Sequence, residues 1–149
     1  NRFKLPLKIV GKGQDEALCR SIAGESIFFL GECDDEQLLE LYQQARAFVF
    51  PGEDDFGITP LEAQACGTPV IAYAAGGALE TVTETTGIFF EAQTEEALSY
   101  AVEEMEQRHQ NFKPEDFKKN TSQFSRERYK NEMFNTINNA YSSWNLESP

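Results

Sequence analysis

Five short apolar runs, each separated from the next by a stretch with helical spacing, constrain this chain more than any other feature. The runs are LPLKIV (5–10), SIFFLG (26–31), AFVF (47–50), TPVIAY (68–73) and GIFFE (87–91). They are short, rich in Val, Ile and Phe, and bounded by Gly or Pro, as strands are. Most are apolar almost throughout rather than alternating, the pattern of a parallel sheet covered on both faces. Strands alternating with helices predict an α/β fold, a doubly wound parallel sheet with right-handed crossovers. Ligands of such folds sit at the carboxyl ends of the strands, near the switch point of strand order.

The helical stretches carry their own punctuation. DEALCRSIA (15–23) opens on two acids, which suit a positive helix N-terminus. In DDEQLLELYQQAR, Asp34 is the expected N-cap and Gln37 reaches back to it, with Leu38, Leu39, Tyr42 and Ala45 on one face. Thr94 is placed to cap TEEALSYAVEEMEQ, whose stripe is Ala97, Leu98, Ala101, Val102 and Met105. A last long helix is expected over 125–144, where Tyr129, Met133, Phe134, Ile137, Tyr141 and Trp144 recur at helical spacing. That stripe reads as docking surface rather than as a cofactor box. HQNFKPED (109–116) reads as a linker, and residues 1–149 as a single domain.

Composition bounds the function. Hydrophobic residues make up 40% of the 149, enough for a sizeable core. Thirteen basic against 25 acidic residues give a net charge of -12, which argues against nucleic acid and against a basic membrane-surface protein. An anionic small ligand stays open, because backbone amides at a helix start bind phosphate locally. Cys19, Cys33 and Cys66 are odd in number and widely spaced, and read as buried free thiols of a reducing, cytoplasmic compartment. His109 reads as solvated, no apolar stretch is long enough to span a bilayer, and the absence of a starting Met reads as the mark of a fragment.

Four loops at strand ends are candidates for chemistry. GKGQ (11–14) follows a strand but lacks the third glycine of a dinucleotide fingerprint and the Ser/Thr of a P-loop, so a tight turn is the better reading. In LGECDDE (30–36), Gly31 and Glu32 lie where a strand end faces a ligand, while the acids at 34–36 suit a cap and first turn. AAGGALETV (74–82) places Gly76-Gly77 before a helix start, where paired glycines let a backbone approach a pyrophosphate, a sugar or simply a turn. The fourth is PGEDDFGITPLE (51–62). Thr59 fits as N-cap, Pro60 as first helical residue and Glu62 as the acid of a capping box. Capping alone does not call for Glu53, Asp54 and Asp55 in a row, nor for Gly52 and Gly57 around them. Carboxylates there accept hydrogen bonds from sugar hydroxyls, and the free amides near 56–59 suit an anion or polarised oxygen. Two such loops after neighbouring strands favour a binding cleft.

The string FPGEDDFGITPLEAQACGTPVIAYAAGGALETV (50–82) closely resembles the nucleotide-sugar-binding half of retaining GT-B glycosyltransferases of family 4, group 1. LKIVGKGQDEAL and FLGECDDEQLLELYQQA are also similar to that family, so the resemblance covers most of the chain. It implies a Rossmann-like C-terminal half of the GT-B fold, closed by long C-terminal helices. It implies a catalytic carboxylate pair, Asp54 toward the transferred sugar and Glu62 toward the ribose hydroxyls. Asp54 stands where relatives have Glu, and the neighbouring Glu53 is the alternative at that end. Donor contacts carry over to the backbone of Phe56, Gly57 and Ile58. Leu61 is implied to pack near the nucleotide, Gly31 to approach the base, and Gly76 and Gly77 to line the donor.

The implied reaction moves a hexose from a nucleoside-diphosphate sugar to a hydroxyl acceptor with retention, without a cofactor or an essential metal. Mannose from GDP-mannose is the leading expectation, since the wording resembles mannosyltransferases; a UDP-hexose-dependent enzyme and a non-catalytic nucleotide-sugar-binding or interaction domain are the alternatives. The family's opening strand and helix, which supply an Arg and a Lys for the diphosphate, are not found, nor is the acceptor-binding N-terminal domain. The chain thus reads as a truncated C-terminal half that does not catalyse alone. Partner expectations are the donor, an acceptor through the missing domain, a membrane surface peripheral to the full-length enzyme, and a second copy through the C-terminal helix.

Overall fold

The computed structural model describes residues 1–147. All five expected strands form: β1 (Leu7–Val10), β2 (Ile27–Gly31), β3 (Phe48–Phe50), β4 (Val70–Tyr73) and β5 (Gly87–Phe90). The helices are α1 (Glu16–Ile22), α2 (Asp35–Gln44), α3 (Ile58–Ala65), α4 (Ala78–Thr81), α5 (Glu95–Arg108), α6 (Pro114–Ser122) and α7 (Arg126–Glu147). A 3-10 turn covers His109–Asn111. The fold is α/β with parallel sheets. Two compact units divide it, Asn1–Leu41 and the remainder from Tyr42.

In the first unit β1 and β2 pair in parallel, Leu7 opposite Ile27, with a register shift between Ile9 and Val10. Asn1 ties the helix end to this pair: its Nδ2 donates to the Ile22 carbonyl and its Oδ1 accepts from the Gly24 amide. At the carboxyl ends of the strands the Gly11 amide donates to the Gly31 carbonyl at 2.6 Å, and Lys12 pairs with Glu32 at 3.3 Å. GKGQ is therefore a turn, as its missing glycine implied. The capping box at α2 forms as read: the Gln37 amide donates to Asp34 Oδ1, and the Asp34 amide to Gln37 Oε1. Burial departs from expectation. Exposure alternates along β2, with Phe28 and Leu30 exposed, and α1 buries none of its residues. These two strands are apolar without being covered on both faces.

The second unit holds the core. β3, β4 and β5 pair in parallel in that order, with Val70 between Phe48 and Gly87. Here the continuous apolar runs do mark two-sided burial: Val70, Ile71 and Ala72 are buried, as are Ile88 and Phe90. Ala101 and Met105 of α5 pack on Ile71, Ile88 and Phe90, with Val49, Leu98 and Phe112 around them. Each fully buried side chain of this size contributes about 1.5–3 kcal/mol. Thr94 caps α5, its side chain accepting from the Ala97 amide.

Two readings are corrected, and one on the last helix holds. The 109–116 linker contains a 3-10 turn and the start of α6, because Pro114 opens that helix and Phe117 is a buried anchor for it. None of the three cysteines is buried: Cys19 is exposed, and Cys33 and Cys66 are intermediate, all free. The helix expected over 125–144 forms as α7, and its aromatic stripe lies exposed.

A polar network binds α3, α4 and α6. Buried Gln64 donates to the Pro60 and Thr81 carbonyls, and buried Asn120 donates to Gln64 Oε1 at 2.7 Å and to the Thr81 carbonyl at 2.8 Å. Among the described residues no buried side-chain nitrogen or oxygen lacks a partner. Removing one member leaves a buried acceptor unmatched, which costs more than the net worth of the bond. Asn120→Ala should lower stability in urea unfolding by about 1–3 kcal/mol. Lys119→Ala, one residue earlier and exposed, should stay within about 0.5 kcal/mol.

Candidate functional site

The chain between β3 and α3 does not enter its helix where the Thr59 cap predicts. α3 begins at Ile58, and the N-cap position is Gly57, at φ 80° and ψ 59°, with no side-chain cap. Only glycine adopts that left-handed conformation without a steric penalty. The turn at Gly57 brings Ile58 and Thr59 into the helix early, so Thr59 is already helical and Glu62 stands beyond the reach of a capping box. The cap reading of Thr59 and Glu62 is therefore overturned. The amides at the start of α3 carry no side-chain acceptor, and the helix dipole makes that end positive.

The carboxylate of Glu62 instead meets a tyrosine. The Tyr42 hydroxyl donates to Glu62 Oε2 at 3.4 Å, and the Thr68 hydroxyl donates to the Tyr42 carbonyl at 2.5 Å. Tyr42 is buried and its ring meets Phe48 edge-on at 5.4 Å. Burial, then the Glu62 charge, then the hydrogen bond push the Tyr42 hydroxyl up to about 12. The Cys66 thiol is raised by partial desolvation and then by the same carboxylate. Glu62 itself is exposed, so a carboxylate anchored on one oxygen presents its remaining lone pairs to solvent.

The acidic loop and the glycine pair are docked on each other. The Gly77 amide donates to the Asp54 carbonyl at 2.7 Å. A Cβ on Gly77 would lie 2.2 Å from the Phe56 carbonyl carbon, and one on Gly76, at φ 54°, would lie 2.5 Å from the Asp54 carbonyl oxygen. The close approach that the pair permits is thus realised against residues 54–56. The Thr81 hydroxyl donates to the Gly77 carbonyl at 2.9 Å and closes the turn into α4. Within the loop, Asp54 Oδ1 accepts from the Asp55 amide at 2.8 Å, and Glu53 and Asp54 are both exposed. Phe56 meets Phe124 edge-on at 6.0 Å.

Nine of the ten candidate residues therefore belong to the second unit: Glu53, Asp54, Phe56, Gly57, Ile58, Leu61, Glu62, Gly76 and Gly77. They follow the carboxyl ends of β3 and β4, where a parallel sheet presents its ligands. Leu61 is half-buried, while Ile58 is 60% exposed. Gly31 ends β2 in the first unit at φ 72°. Sequence reasoning missed Gln64, Thr81, Asn120 and Phe124, which hold this arrangement; nothing in their spacing distinguishes them from ordinary helix and turn residues. A cleft of about 670 Å³ is lined by Phe56, Glu80, Phe124, Arg126, Arg128 and Tyr129, among others, and does not include Asp54 or Glu62. Among the described residues no group of three or more His, Cys, Asp or Glu could hold a metal ion.

The arrangement offers uncapped amides for an anionic or polarised oxygen beside carboxylates that accept hydroxyl hydrogen bonds. Its electrostatics can be read directly from tyrosine absorbance. Tyr42 should ionise late, near pH 12, and Glu62→Gln should bring it earlier without restoring an ordinary value, because burial persists. The folded value lies above the unfolded one, so the stability Tyr42 contributes is full below about pH 10 and falls as pH rises toward 12.

Residues 2–124 match the family model described as Glycosyl transferases group 1. Over 104 residues the chain is 38% identical to a GDP-mannose-dependent monoacylated alpha-(1-6)-phosphatidylinositol monomannoside mannosyltransferase of Corynebacterium glutamicum, covering 62% of this chain and 27% of that protein. It is 45% identical over 71 residues to a phosphatidyl-myo-inositol mannosyltransferase of Mycobacterium leprae, covering 44% and 19%. The chain thus spans about a quarter or less of the length of these curated relatives. Among solved structures, a sucrose-phosphate synthase from Thermosynechococcus elongatus superposes with a TM-score of 0.78 at 27% identity, over 92% of this chain and 39% of that one. The family match extends from Arg2 to Phe124, over most of the chain, and the chain belongs to the group 1 glycosyl transferases.

Proposed function

We propose that this chain binds the donor of a hexosyl transfer, a nucleoside-diphosphate sugar, with GDP-mannose the leading candidate. The observation that carries the reading is the state of Glu62. It is exposed, free of the cap that would have explained it, and held by Tyr42 one turn beyond the uncapped start of α3. In this reading its carboxylate accepts from the ribose hydroxyls. Asp54, or Glu53 beside it, accepts from a hydroxyl of the transferred sugar. The amides at Phe56, Gly57 and Ile58 face donor oxygens, and Leu61 packs near the nucleotide. Membership of the family supports a nucleotide-sugar donor, and the name of the Corynebacterium relative supports guanosine and mannose.

The transfer would break the bond from the anomeric carbon to the diphosphate and form one to an acceptor hydroxyl, with the acceptor proton released and the configuration retained. The leaving diphosphate gathers negative charge, which fixed amide dipoles stabilise without reorganising. In this loop carboxylates flank those dipoles, so they favour the hydroxyl-bearing parts of the donor and leave the charged part to the amides. The chain by itself would bind donor without transferring it.

Calorimetry on the chain with GDP-mannose, guanosine diphosphate and UDP-glucose tests the proposal. Glu62→Gln should weaken nucleotide binding about ten- to a hundredfold, the worth of a charge-assisted hydrogen-bond pair, while the urea midpoint hardly moves. Asp54→Asn should weaken GDP-mannose more than guanosine diphosphate. Unchanged binding in Glu62→Gln would remove the ribose role, and tighter binding of UDP-glucose than of GDP-mannose would move the donor to a uridine-linked hexose.

A further inference from the structure

We propose that Phe124, at the junction of α6 and α7, is a positioning residue for the donor loop. The inference rests on the donor-binding reading and adds to it a side chain 67 residues downstream of Gly57, outside the loop itself. The loop that leaves β3 is anchored at three places. Gln93 donates to the Pro51 carbonyl at 3.0 Å. The Gly77 amide donates to the Asp54 carbonyl at 2.7 Å. The third anchor is the ring of Phe56, whose centroid lies 6.0 Å from that of Phe124 with the planes at 73°.

This third anchor sits where it matters most. Phe56 immediately precedes Gly57, the left-handed residue that sets the start of α3 and the aim of its first amides. Both flanking peptides are conformationally permissive there, since glycine resists rotation less than any other residue. The backbone of Phe56 is also the surface against which Gly77 packs, too close for any Cβ. The ring contact with Phe124 and the close backbone approach of Gly77 both constrain Phe56.

Phe124 is itself well rooted. Its amide donates to the Thr121 carbonyl at 3.0 Å, the Gln123 amide donates to the Asn120 carbonyl at 3.1 Å, and Arg128 Nη1 donates to the Gln123 carbonyl at 3.0 Å. Asn120 belongs to the buried network that also holds α3 and α4. Phe124 is half-buried while Phe56 is 44% exposed, so the rigid partner is Phe124 and the one it steadies is Phe56. An edge-to-face pair adds a modest free energy beyond burial, enough to bias the loop without being needed to fold the chain.

The test uses the full chain, with GDP-mannose as the probe and the exchange rate of the Gly77 amide, followed by NMR, as a ligand-free readout of loop docking. Phe124→Ala and Phe124→Leu should raise the Kd about three- to tenfold, the range of an aromatic pair, and speed Gly77 exchange by a similar factor. Phe124→Tyr, which keeps the ring, should restore both to within about twofold. If the wild type binds, Glu62→Gln weakens binding, and Phe124→Ala changes neither Kd nor exchange, the positioning role is overturned while the donor reading stands. Failure of Phe124→Tyr to restore what Phe124→Ala loses would also overturn it. If the wild type binds neither GDP-mannose nor UDP-glucose, the donor reading falls and the role falls with it.

Discussion

The buried amides of Gln64 and Asn120 set the geometry on which the candidate site depends. Apolar packing holds α3, α4 and α6 together but does not by itself fix how far one helix slides along another. Directed hydrogen bonds do, because a displaced donor leaves a buried acceptor unmatched in a low-dielectric interior. Gln64 reaches the Pro60 carbonyl in the first turn of α3, and both amides converge on the Thr81 carbonyl of α4. Each of those helices starts just after a loop at the carboxyl end of a strand. Fixing the helices therefore fixes the loops, and the 54–56 backbone closes on Gly76 and Gly77 with no room for a side chain between them.

On that frame the electrostatics divide into two kinds of partner for a ligand. The start of α3 offers N–H groups at the positive end of a short helix. Glu53, Asp54 and Glu62 offer exposed carboxylates within a chain whose net charge is -12. The charge on Glu62 is felt by its neighbours, since it raises both Tyr42 and Cys66. A molecule carrying both hydroxyl donors and anionic oxygens suits this mixture, and a nucleoside-diphosphate sugar is such a molecule.

The sequence made the strands legible because each was a compact Val/Ile/Phe run with glycine or proline at its border. It made the caps at Asp34 and Thr94 legible because both precede helices with nothing competing for the chain's entry angle. The cap at Thr59 was misread for a physical reason: Gly57 can turn in a way no other residue does cheaply, and it takes the N-cap position first. The glycine pair at 76–77 was legible as a site of close approach, but the identity of what approaches, the 54–56 backbone, depends on a contact across about twenty residues of chain. Long-range partnerships also hid Gln64, Asn120 and Phe124, whose local surroundings read as plain helix. The apolar runs of β1 and β2 misled in the other direction, because continuous hydrophobicity describes composition and not which faces are covered.

Whether a nucleotide-sugar donor lies across the start of α3 with Glu62 beneath its ribose can be decided by amide chemical-shift mapping of the chain titrated with GDP-mannose. Saturable shifts are expected, centred on the amides of Phe56, Gly57, Ile58, Thr59 and Glu62, with Gly77 following through its hydrogen bond to Asp54. Shifts confined to the cleft of Glu84, Phe89, Glu104 and Arg108, or no saturable shifts at all, would contradict that placement of the donor.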